Sequence, residues 1–511
     1  MSYDFQQTSA EGGWLQLIKL ALGDRRNQMQ IAGSTDINIF GLTADSRLVE
    51  PGFLFAALEG GQTDGRKFIP EAVERGAVAI LAPLGTKLDV HLGLQKSVSL
   101  ISCDNPRLAY ADISARFFAF QPKTVAAITG TNGKSSVADF VRQLWTLAGV
   151  PAASLGTLGL VTPSGSVSCN LTTPDPALLH DKLSRLVQDN INHLALEASS
   201  HGLAQYRLDG VRIPIAAFTN LSRDHLDYHS TLDNYFSAKA RLFSDILSTD
   251  GTAILNGDDP CFEILRSTAL DRGADVLSYG WQGKNICICD LWPEPGGQRL
   301  ELMIDGARKS IRLPLIGDFQ AMNILCALGI VMVAGGDCDV TIENLETLKG
   351  VCGRLEFVAK LSNGAAIYVD YAHTPDALKN VLTSMRSHTN KNLHVVFGCG
   401  GDRDPGKRAE MGAIATSFAD KIIITDDNPR KENAASIRHQ ILEACDGALE
   451  IENREQAIFE AISRLKSGDL LVIAGKGHEQ GQTFNTVTVP FSDAEVAAKA
   501  ALNRNSCVTM S

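Results

Sequence analysis

Short apolar runs separated by stretches long enough for a helix recur along the chain and predict an α/β fold. The last third of the sequence contains four of them, at residues 366–369, 393–397, 421–424 and 470–473. Runs that are apolar throughout are typical of parallel strands buried on both faces of a sheet. The pattern therefore predicts a doubly wound, Rossmann-like domain over residues 351–511.

Two more α/β domains are expected before this one, because 511 residues are enough for about three domains. Residues 1–122 hold short apolar runs separated by glycine-rich turns, which is typical of a small α/β domain. In residues 123–350, buried-type strands end in polar residues, as in a parallel sheet that carries a site along one edge. We expect three α/β domains, the central one with a parallel sheet.

Composition and charge narrow the function classes. The content of 44% hydrophobic and 21% charged residues is ordinary for an enzyme, and no apolar run reaches the ~20 residues of a membrane span. The N-terminus lacks a basic segment followed by an apolar one, so we expect a cytoplasmic protein. The net charge of −11 argues against nucleic acid as the main partner. The eleven cysteines are scattered, which favours reduced thiols over zinc sites.

A glycine loop stands between a predicted strand and a predicted helix, at residues 129–136. Glycines let several backbone N–H groups face one anion, Lys134 supplies a mobile cation and Ser135 offers a hydroxyl to Mg²⁺. The usual P-loop spacing places a glycine at position 128, where this chain has Ile128, so only the Gly-Lys-Ser end of the generic motif fits. The loop predicts ATP binding by the central domain.

Three polar residues of the central region are candidates for a metal or catalytic site. Glu197 and His225 follow buried-type strands and could reach the phosphates, and Ser135 with Glu197 makes a plausible Mg²⁺ site. Imidazole is a less typical Mg²⁺ ligand, and a capping glutamate and a loop histidine remain open alternatives. For Lys239, the pattern alone favours a solvated helix lysine.

The C-terminal region has four polar or glycine-containing loops that each follow an apolar strand, at residues 370–375, 398–404, 427–430 and 475–479. Loops at one edge of a parallel sheet are where an α/β domain builds a ligand pocket, although each loop taken singly could be a turn. Residues 104–107 repeat the tetrapeptide of residues 427–430. We expect a loop and a helix start there, because Pro is favoured in the first helical turn.

These motifs together, with the segments 129–135, 197–203, 219–227 and 353–356 in this order, resemble the Mur ligases over nearly the whole chain. The chain is most similar to the members that add meso-2,6-diaminopimelate to the D-glutamate of UDP-N-acetylmuramoyl-L-alanyl-D-glutamate in peptidoglycan synthesis. The resemblance implies a UDP-MurNAc-binding N-terminal domain, a central P-loop ATPase domain and a C-terminal amino-acid-binding domain, expected to act as a monomer.

The resemblance also implies the site residues. The implied ATP-binding residues are Gly130, Thr131, Asn132, Gly133, Lys134, Ser135, Ser136, Asn323, Arg354 and Asp370. Those implied for the UDP-MurNAc-dipeptide are Ala44, Ser46, Gly61, Gln62, Thr63, Thr172, Thr173, Ser199, Gln205 and Arg207. Lys239 matches a lysine that the family carries as a CO₂-derived carbamate, which would help Ser135, Glu197 and His225 to hold Mg²⁺. The implied catalytic residues are Lys134, Glu197, His225 and Lys239.

For the amino acid, the segment Asp427, Asn428, Pro429 and Arg430 is similar to the family's signature for diaminopimelate rather than L-lysine. The implied reason is charge, since Arg430 can grip the distal carboxylate that L-lysine lacks. Arg403, Gly475 and Glu479 match the other contacts, with Glu479 suited to the distal ammonium.

The implied reaction passes through an acyl phosphate that the incoming amine displaces, and His373 is a further candidate proton acceptor. The rival hypotheses are a lysine-adding Mur enzyme, a folate polyglutamate ligase, an ATP-sensing switch without catalysis and a P-loop kinase.

Overall fold

The computed structural model describes residues 15–21, 29–60, 63–88, 98–294 and 296–508. Three sheets of five, eleven and six strands follow one another along the chain, with helices packed against them. The predicted α/β class with three successive sheets is confirmed. The limits proposed for the domains, 1–122, 123–350 and 351–511, stay a prediction.

The N-terminal sheet has four parallel strands and one antiparallel edge strand. Its spatial order is Gln30–Ala32, Ser99–Cys103, Ala79–Pro83, Phe53–Ala56 and Gly41–Thr43. The helices of this region are Leu17–Ala21, Ile69–Glu74 and Pro106–Phe118, with short 3₁₀ turns at Ser46–Leu48 and Gly65–Phe68. The side chain of Asn105 accepts a hydrogen bond from the Leu108 N–H at 3.1 Å, so the expected helix start after residues 104–107 is confirmed.

The central sheet is parallel through its middle and antiparallel at both edges. Its spatial order is Gly165–Val167, Gly159–Thr162, Ala152–Gly156, His193–Glu197, Thr124–Thr129, Ile213–Phe218, Leu247–Asn256, Asp275–Gly280, Ile286–Glu294, Gly297–Ile304 and Ala307–Leu313. The sequence predicted the parallel middle but not the antiparallel strands. Along Gly297–Ile304 and Ala307–Leu313, more exposed residues alternate with residues that enter the buried core.

Both faces of the central sheet are buried, because side chains that alternate along its strands enter two different cores. Val125 and Ala127 pack on one face, while Ala126 and Ile128 pack on the other. The flanking helices are Lys134–Leu147, Pro176–Gln188, Ser200–Ala204, Leu226–His229, Leu232–Arg241, Phe262–Arg272, Asp318–Val333 and Cys338–Leu345, with a π-helical turn at Leu242–Ile246. This burial explains the continuous apolar runs in the sequence.

The C-terminal sheet has five parallel strands and one antiparallel edge strand. Its spatial order is Glu356–Lys360, Ala366–Asp370, Leu470–Ala474, Leu393–Phe397, Lys421–Ile424 and Leu449–Glu450, and its helices are Pro375–Arg386, Lys407–Phe418, Ala434–Leu442, Arg454–Arg464 and Asp493–Val508. Two-stranded pairs form between Leu15–Gln16 and Asn38–Ile39, and between Gly481–Phe484 and Val487–Pro490. The ten cysteines whose side chains the structure describes are free thiols, and no described helix is long and apolar enough to cross a membrane.

A fully buried ion pair joins two helix starts of the C-terminal region to its sheet. Arg454 donates from Nε and Nη2 to the two carboxylate oxygens of Asp493 at 2.7 Å each, and both side chains are inaccessible to solvent. Arg454 Nη2 also donates to the carbonyl of Ala474 at 2.9 Å. The pair therefore holds the end of the strand that leads into the loop at residues 475–479.

We predict that Asp493→Asn destabilises the protein by about 3–5 kcal/mol, because removing one partner leaves a buried charge without compensation. The free energy of unfolding from urea denaturation measures this, with Glu460→Gln, which removes an exposed helix ion pair to Arg464, as the control. An equal, small loss for both variants would contradict the prediction.

Candidate active site

A cavity of about 360 Å³ lies at the carboxyl ends of the central strands and is lined by residues from the central and C-terminal regions. We call it the central cavity. The predicted site residues among its lining are Thr131, Asn132, Gly133, Lys134, Ser135, Ser136, Thr172, Glu197, Ser199, His225, Lys239, Asn323, Arg354 and Asp370, and the candidate His373 also lines it. The structure therefore brings the glycine loop together with polar residues that are more than 200 positions away in the sequence.

Two glycines of the loop adopt positive φ and leave no room for a side chain. Gly130 has φ +142°, and a Cβ there would lie 1.9 Å from Thr219 Oγ1. Gly133, just before the helix Lys134–Leu147, has φ +85°, and a Cβ would lie 2.3 Å from Asn323 Oδ1. The backbone needs glycine at both positions.

Two lysines point at one carbonyl beneath this loop. Lys134 Nζ donates to the carbonyl of Gly130 at 2.9 Å and to that of Thr131 at 2.7 Å, while Lys239 Nζ donates to Gly130 at 2.7 Å. Burial, reinforced by the charge of Lys134, holds the pKa of Lys239 well below its usual value. Burial also lowers the pKa of Lys134, although nearby Glu197 and Asp224 oppose the shift. The pattern had favoured a solvated Lys239, and that interpretation is wrong because the side chain packs under the Tyr235 ring.

Glu197 ends its strand buried beside the loop. Its carboxylate accepts hydrogen bonds from the N–H of Thr157 at 2.8 Å and from Thr157 Oγ1 at 3.2 Å. The following helix is capped by Ser199, whose Oγ accepts from the N–H of Gly202 at 3.0 Å, so Glu197 is not the cap. His225 lies at φ +53° at the N-cap of a short helix, with Nε2 3.5 Å from Asp224.

Arg354 bridges the two regions that form the cavity. Its Nη2 donates to Ser135 Oγ at 3.3 Å, and its guanidinium stacks 4.5 Å from the ring centroid of Tyr371. Asp370 accepts from the N–H groups of Leu355 at 2.6 Å and Ala372 at 2.7 Å, and burial raises the pKa of its carboxyl to about 6. The preceding linker is held by Gln143, which exchanges two hydrogen bonds with the backbone of Lys349 at 2.9 and 3.0 Å.

A second cavity, of about 200 Å³, lies between the N-terminal and central regions, and we call it the N-terminal cavity. Of the residues predicted for the UDP-MurNAc-dipeptide, Ala44, Gln205 and Arg207 line it. Arg107, which sequence analysis did not select, also lines it and donates to the carbonyl of Glu59. The tetrapeptide at residues 104–107, which contains Arg107, predicts only a loop and a helix start.

Hydrogen bonds connect the two cavities through the other predicted dipeptide residues. Arg207 Nη1 donates to the carbonyl of Thr173 at 2.7 Å, and Thr173 Oγ1 lies 2.9 Å from Ser199 Oγ. Thr172 Oγ1 lies 3.1 Å from Thr157 Oγ1, beside Glu197. Ser46 and Thr63 are not among the lining residues. Ser46 donates to Glu71 at 2.7 Å, and the carbonyl of Thr63 accepts from the N–H of Gly60, which lines the N-terminal cavity, at 2.9 Å. Gly61 and Gln62 lie outside the described residues.

The predicted diaminopimelate residues lie on three loops that contact one another. Arg430 has φ +52°, and its Nη1 donates to the carbonyl of Gly401 at 2.8 Å. A Cβ on Gly475 would lie 2.7 Å from Asp427 Oδ2, so a glycine is needed where these two loops meet. Arg403 is exposed and donates to the carbonyl of Asp402 at 3.3 Å. Pro429 follows Asn428 directly in the same loop.

A buried lysine links two of these loops. Lys476 Nζ donates to Glu479 Oε2 at 2.7 Å and to Asn428 Oδ1 at 3.2 Å, and Asn428 Nδ2 donates to the same glutamate oxygen at 2.8 Å. Lys476 lies within the predicted loop at residues 475–479, and the sequence pattern indicated no role for it. Next to it, the ring of His478 lies 5.0 Å from that of Tyr371, which lines the central cavity.

Comparisons with known proteins agree with this arrangement. Three family models match, described as "Mur ligase family, catalytic domain" over residues 38–116, "Mur ligase middle domain" over 128–331 and "Mur ligase, glutamate ligase domain" over 353–477. The chain is 48% identical over 476 residues to the UDP-N-acetylmuramoyl-L-alanyl-D-glutamate--2,6-diaminopimelate ligase of Brucella melitensis, covering 93% of this chain and 96% of that protein. Its identity to the equally named protein of Zymomonas mobilis is 47%, covering 91% and 96%.

Solved structures are also similar. A structure of a UDP-N-acetylmuramoyl-L-alanyl-D-glutamate--2,6-diaminopimelate ligase aligns with a TM-score of 0.69 at 32% identity, covering 96% of this chain and 99% of that one. Thermotoga maritima MurF in complex with ADP aligns with a TM-score of 0.60 at 19% identity, covering 91% and 96%, which supports the fold alone. The resemblance expected from the motifs is confirmed, and the chain belongs to the Mur ligase family.

Proposed function

We propose that the chain is an ATP-dependent ligase that joins meso-2,6-diaminopimelate to the D-glutamate of UDP-N-acetylmuramoyl-L-alanyl-D-glutamate, a step of peptidoglycan synthesis. The observation that carries this proposal is the central cavity, where the glycine loop meets Glu197 and the pair Arg354 and Asp370. The names of relatives at 47–48% identity support the choice of substrates. Use of ATP and a nucleotide-linked acceptor supports a cytoplasmic enzyme. Because one chain supplies residues for every subsite, we propose a monomer.

ATP binding is assigned to the glycine loop. Its backbone and the start of the helix Lys134–Leu147 supply N–H groups and positive potential for the phosphates. The ammonium of Lys134 donates to two carbonyls of the loop, and we propose that it turns from them to an incoming phosphate. We assign Asn323, Arg354 and Asp370 to the nucleotide as well, since they line the same cavity.

The oxygen donors at the cavity fit Mg²⁺. Ser135 contributes a hydroxyl and Glu197 a carboxylate, and a magnesium site usually combines one or two carboxylates with waters and substrate phosphates. His225 lies exposed at the same cavity and is proposed as a further ligand. When bound, Mg²⁺ neutralises charge on the phosphates of the nucleotide.

The chemistry has to turn a carboxylate into an electrophile. A γ-carboxylate oxygen of D-glutamate attacks the γ-phosphorus of ATP, the bond to the ADP oxygen breaks, and an acyl phosphate forms. The amine of diaminopimelate then attacks the acyl carbon, and phosphate leaves as the amide forms. Burial lowers the pKa of His373, and its Nδ1 faces the carbonyl of Tyr371 at 2.8 Å, so a neutral ring keeps Nε2 available to accept the amine proton.

Lys239 is proposed to react with CO₂. The neutral amine nitrogen bonds to the carbon of CO₂ and loses one proton, so that a side chain that would otherwise be a cationic ammonium becomes an anionic carbamate. The reaction needs a neutral amine, and the lowered pKa of Lys239 supplies one. It also removes the conflict between two ammonium groups at the carbonyl of Gly130. The resulting carboxylate is proposed as an additional oxygen ligand for Mg²⁺.

Replacement of Lys134 tests the ATP assignment. We expect Lys134→Ala to lower ligation about 10³-fold or more, because the mobile cation on the transferring phosphoryl is lost. ADP release with UDP-MurNAc-dipeptide and diaminopimelate measures it, and equilibrium dialysis should show unchanged binding of the UDP-linked acceptor. Lys421→Ala, at an exposed strand start, is the control. Near-normal turnover by Lys134→Ala would refute the assignment.

Replacement of Lys239 tests the carbamate. Wild-type enzyme incubated with ¹³C-bicarbonate should give a protein carbamate signal by NMR that Lys239→Arg lacks, because a guanidinium stays protonated. Turnover should fall as the pH is lowered, because protonation of the amine competes with CO₂ addition. Lys239→Glu, which supplies a carboxylate, should be more active than Lys239→Arg. An unmodified Lys239 together with fully active Lys239→Arg would rule out this role.

Replacement of Arg430 tests the amino-acid site. Arg430→Ala should lower kcat/KM for diaminopimelate by about 30-fold or more, because the distal carboxylate loses its charged partner. Arg430→Lys should recover only part of the loss, since an ammonium does not form two parallel bonds. The readout is amide product with diaminopimelate and with L-lysine, offered separately, and exposed Arg464→Ala is the control. An unchanged preference for diaminopimelate would place its carboxylate elsewhere.

A further inference from the structure

Lys476 is a fully buried lysine whose ammonium donates hydrogen bonds to residues of the loops assigned to diaminopimelate. The side chain has no exposed surface, whereas that of its partner Glu479 keeps 32%. Its two acceptors, Glu479 Oε2 and Asn428 Oδ1, belong to two of the loops assigned to diaminopimelate. Burying an ammonium costs free energy, so the charged form of this lysine depends on both of its hydrogen-bond acceptors.

The two carboxylate oxygens of Glu479 have different roles. Oε2 accepts from Lys476 at 2.7 Å and from Asn428 at 2.8 Å. Oε1 accepts no hydrogen bond from any residue that the structure describes. Glu479 is therefore fixed by one oxygen and presents the other to a ligand.

The charge of Lys476 changes what Glu479 attracts. Lys476 adds a positive charge beside the side chains assigned to diaminopimelate, of which Arg403 and Arg430 are positive and Asp427 and Glu479 are negative. A side chain that ends in a lone ammonium is repelled by the positive charge of Lys476. A zwitterionic end is affected only weakly, because its two charges interact with Lys476 in opposite directions.

We propose that Lys476 determines amino-acid specificity: its buried charge rejects a side chain that ends in a lone ammonium and leaves a zwitterionic end bound between Glu479 and Arg430. The inference rests on the proposed function and adds a residue to it. Arg430 favours amino acids that carry the distal carboxylate, and Lys476 disfavours those that lack it. Specificity then depends on a repulsive group as well as an attractive one.

Two neutral replacements separate this charge effect from simple positioning of Glu479. Lys476→Met removes the charge and the hydrogen bonds, while Lys476→Gln removes the charge but keeps an N–H donor for Glu479. Lys476→Arg keeps the charge. The Glu479 side chain is 32% exposed, so water can solvate its charge when the buried cation is removed. We therefore expect both neutral variants to fold.

The experiment measures kcat/KM for diaminopimelate and for L-lysine with each variant, by ADP release and by the mass of the product. Lys476→Met and Lys476→Gln should both lower the ratio of diaminopimelate to L-lysine about tenfold or more, mainly through a lower KM for L-lysine. Lys476→Arg and the control Lys466→Met, at an exposed lysine, should keep the wild-type ratio.

A wild-type ratio in Lys476→Gln, or equal losses for both amino acids in Lys476→Met, would overturn the role of Lys476 and leave the proposed function intact. A wild-type enzyme that prefers L-lysine, or that forms no amide from diaminopimelate, would instead refute the proposed substrate. Melting temperatures of all variants show which of them are folded. If Lys476→Met does not fold, the amino-acid preference of Lys476→Gln alone tests the role of Lys476.

Discussion

The convergence of two buried lysines on the carbonyl of Gly130 is the constraint on which the site depends. Lys134 Nζ and Lys239 Nζ both donate to that one oxygen. Two ammonium groups at one acceptor repel each other strongly where water is excluded. Either an anion must arrive or one of the lysines must lose its charge. This geometry supports the proposed binding of phosphate at Lys134 and the proposed neutral amine at Lys239.

The helix Lys134–Leu147 connects the glycine loop to the C-terminal region through hydrogen bonds. Its first turn accepts a hydrogen bond from Arg354 at Ser135, and Gln143, about two turns later, holds the backbone of Lys349. One rigid element thus contacts both the phosphate loop and the linker that precedes Arg354. The groups proposed to hold ATP depend on this helix for their relative positions, although they come from distant parts of the sequence.

The sequence was sufficient where a pattern is local. The strand, glycine loop and helix around Lys134, the continuous apolar strands and the helix start at Asn105 each follow from neighbouring residues. It was insufficient where a side chain finds its partner far away. Lys239 looks solvated on its own helix because Gly130 is 109 residues away, and Arg107 looks like a helix start because the cavity it lines forms only in the fold.

Lys239 and Lys476 show how partners decide the chemistry of a buried lysine. Lys476 forms an ion pair with the carboxylate of Glu479 at 2.7 Å. Among the described residues, Lys239 has no carboxylate within ion-pair distance; its ammonium donates to the carbonyl of Gly130 and lies over the Tyr235 ring. Desolvation without an anionic partner favours the neutral amine. This difference in partners supports the roles proposed for the two lysines, a charged group beside Glu479 for Lys476 and a nucleophile toward CO₂ for Lys239.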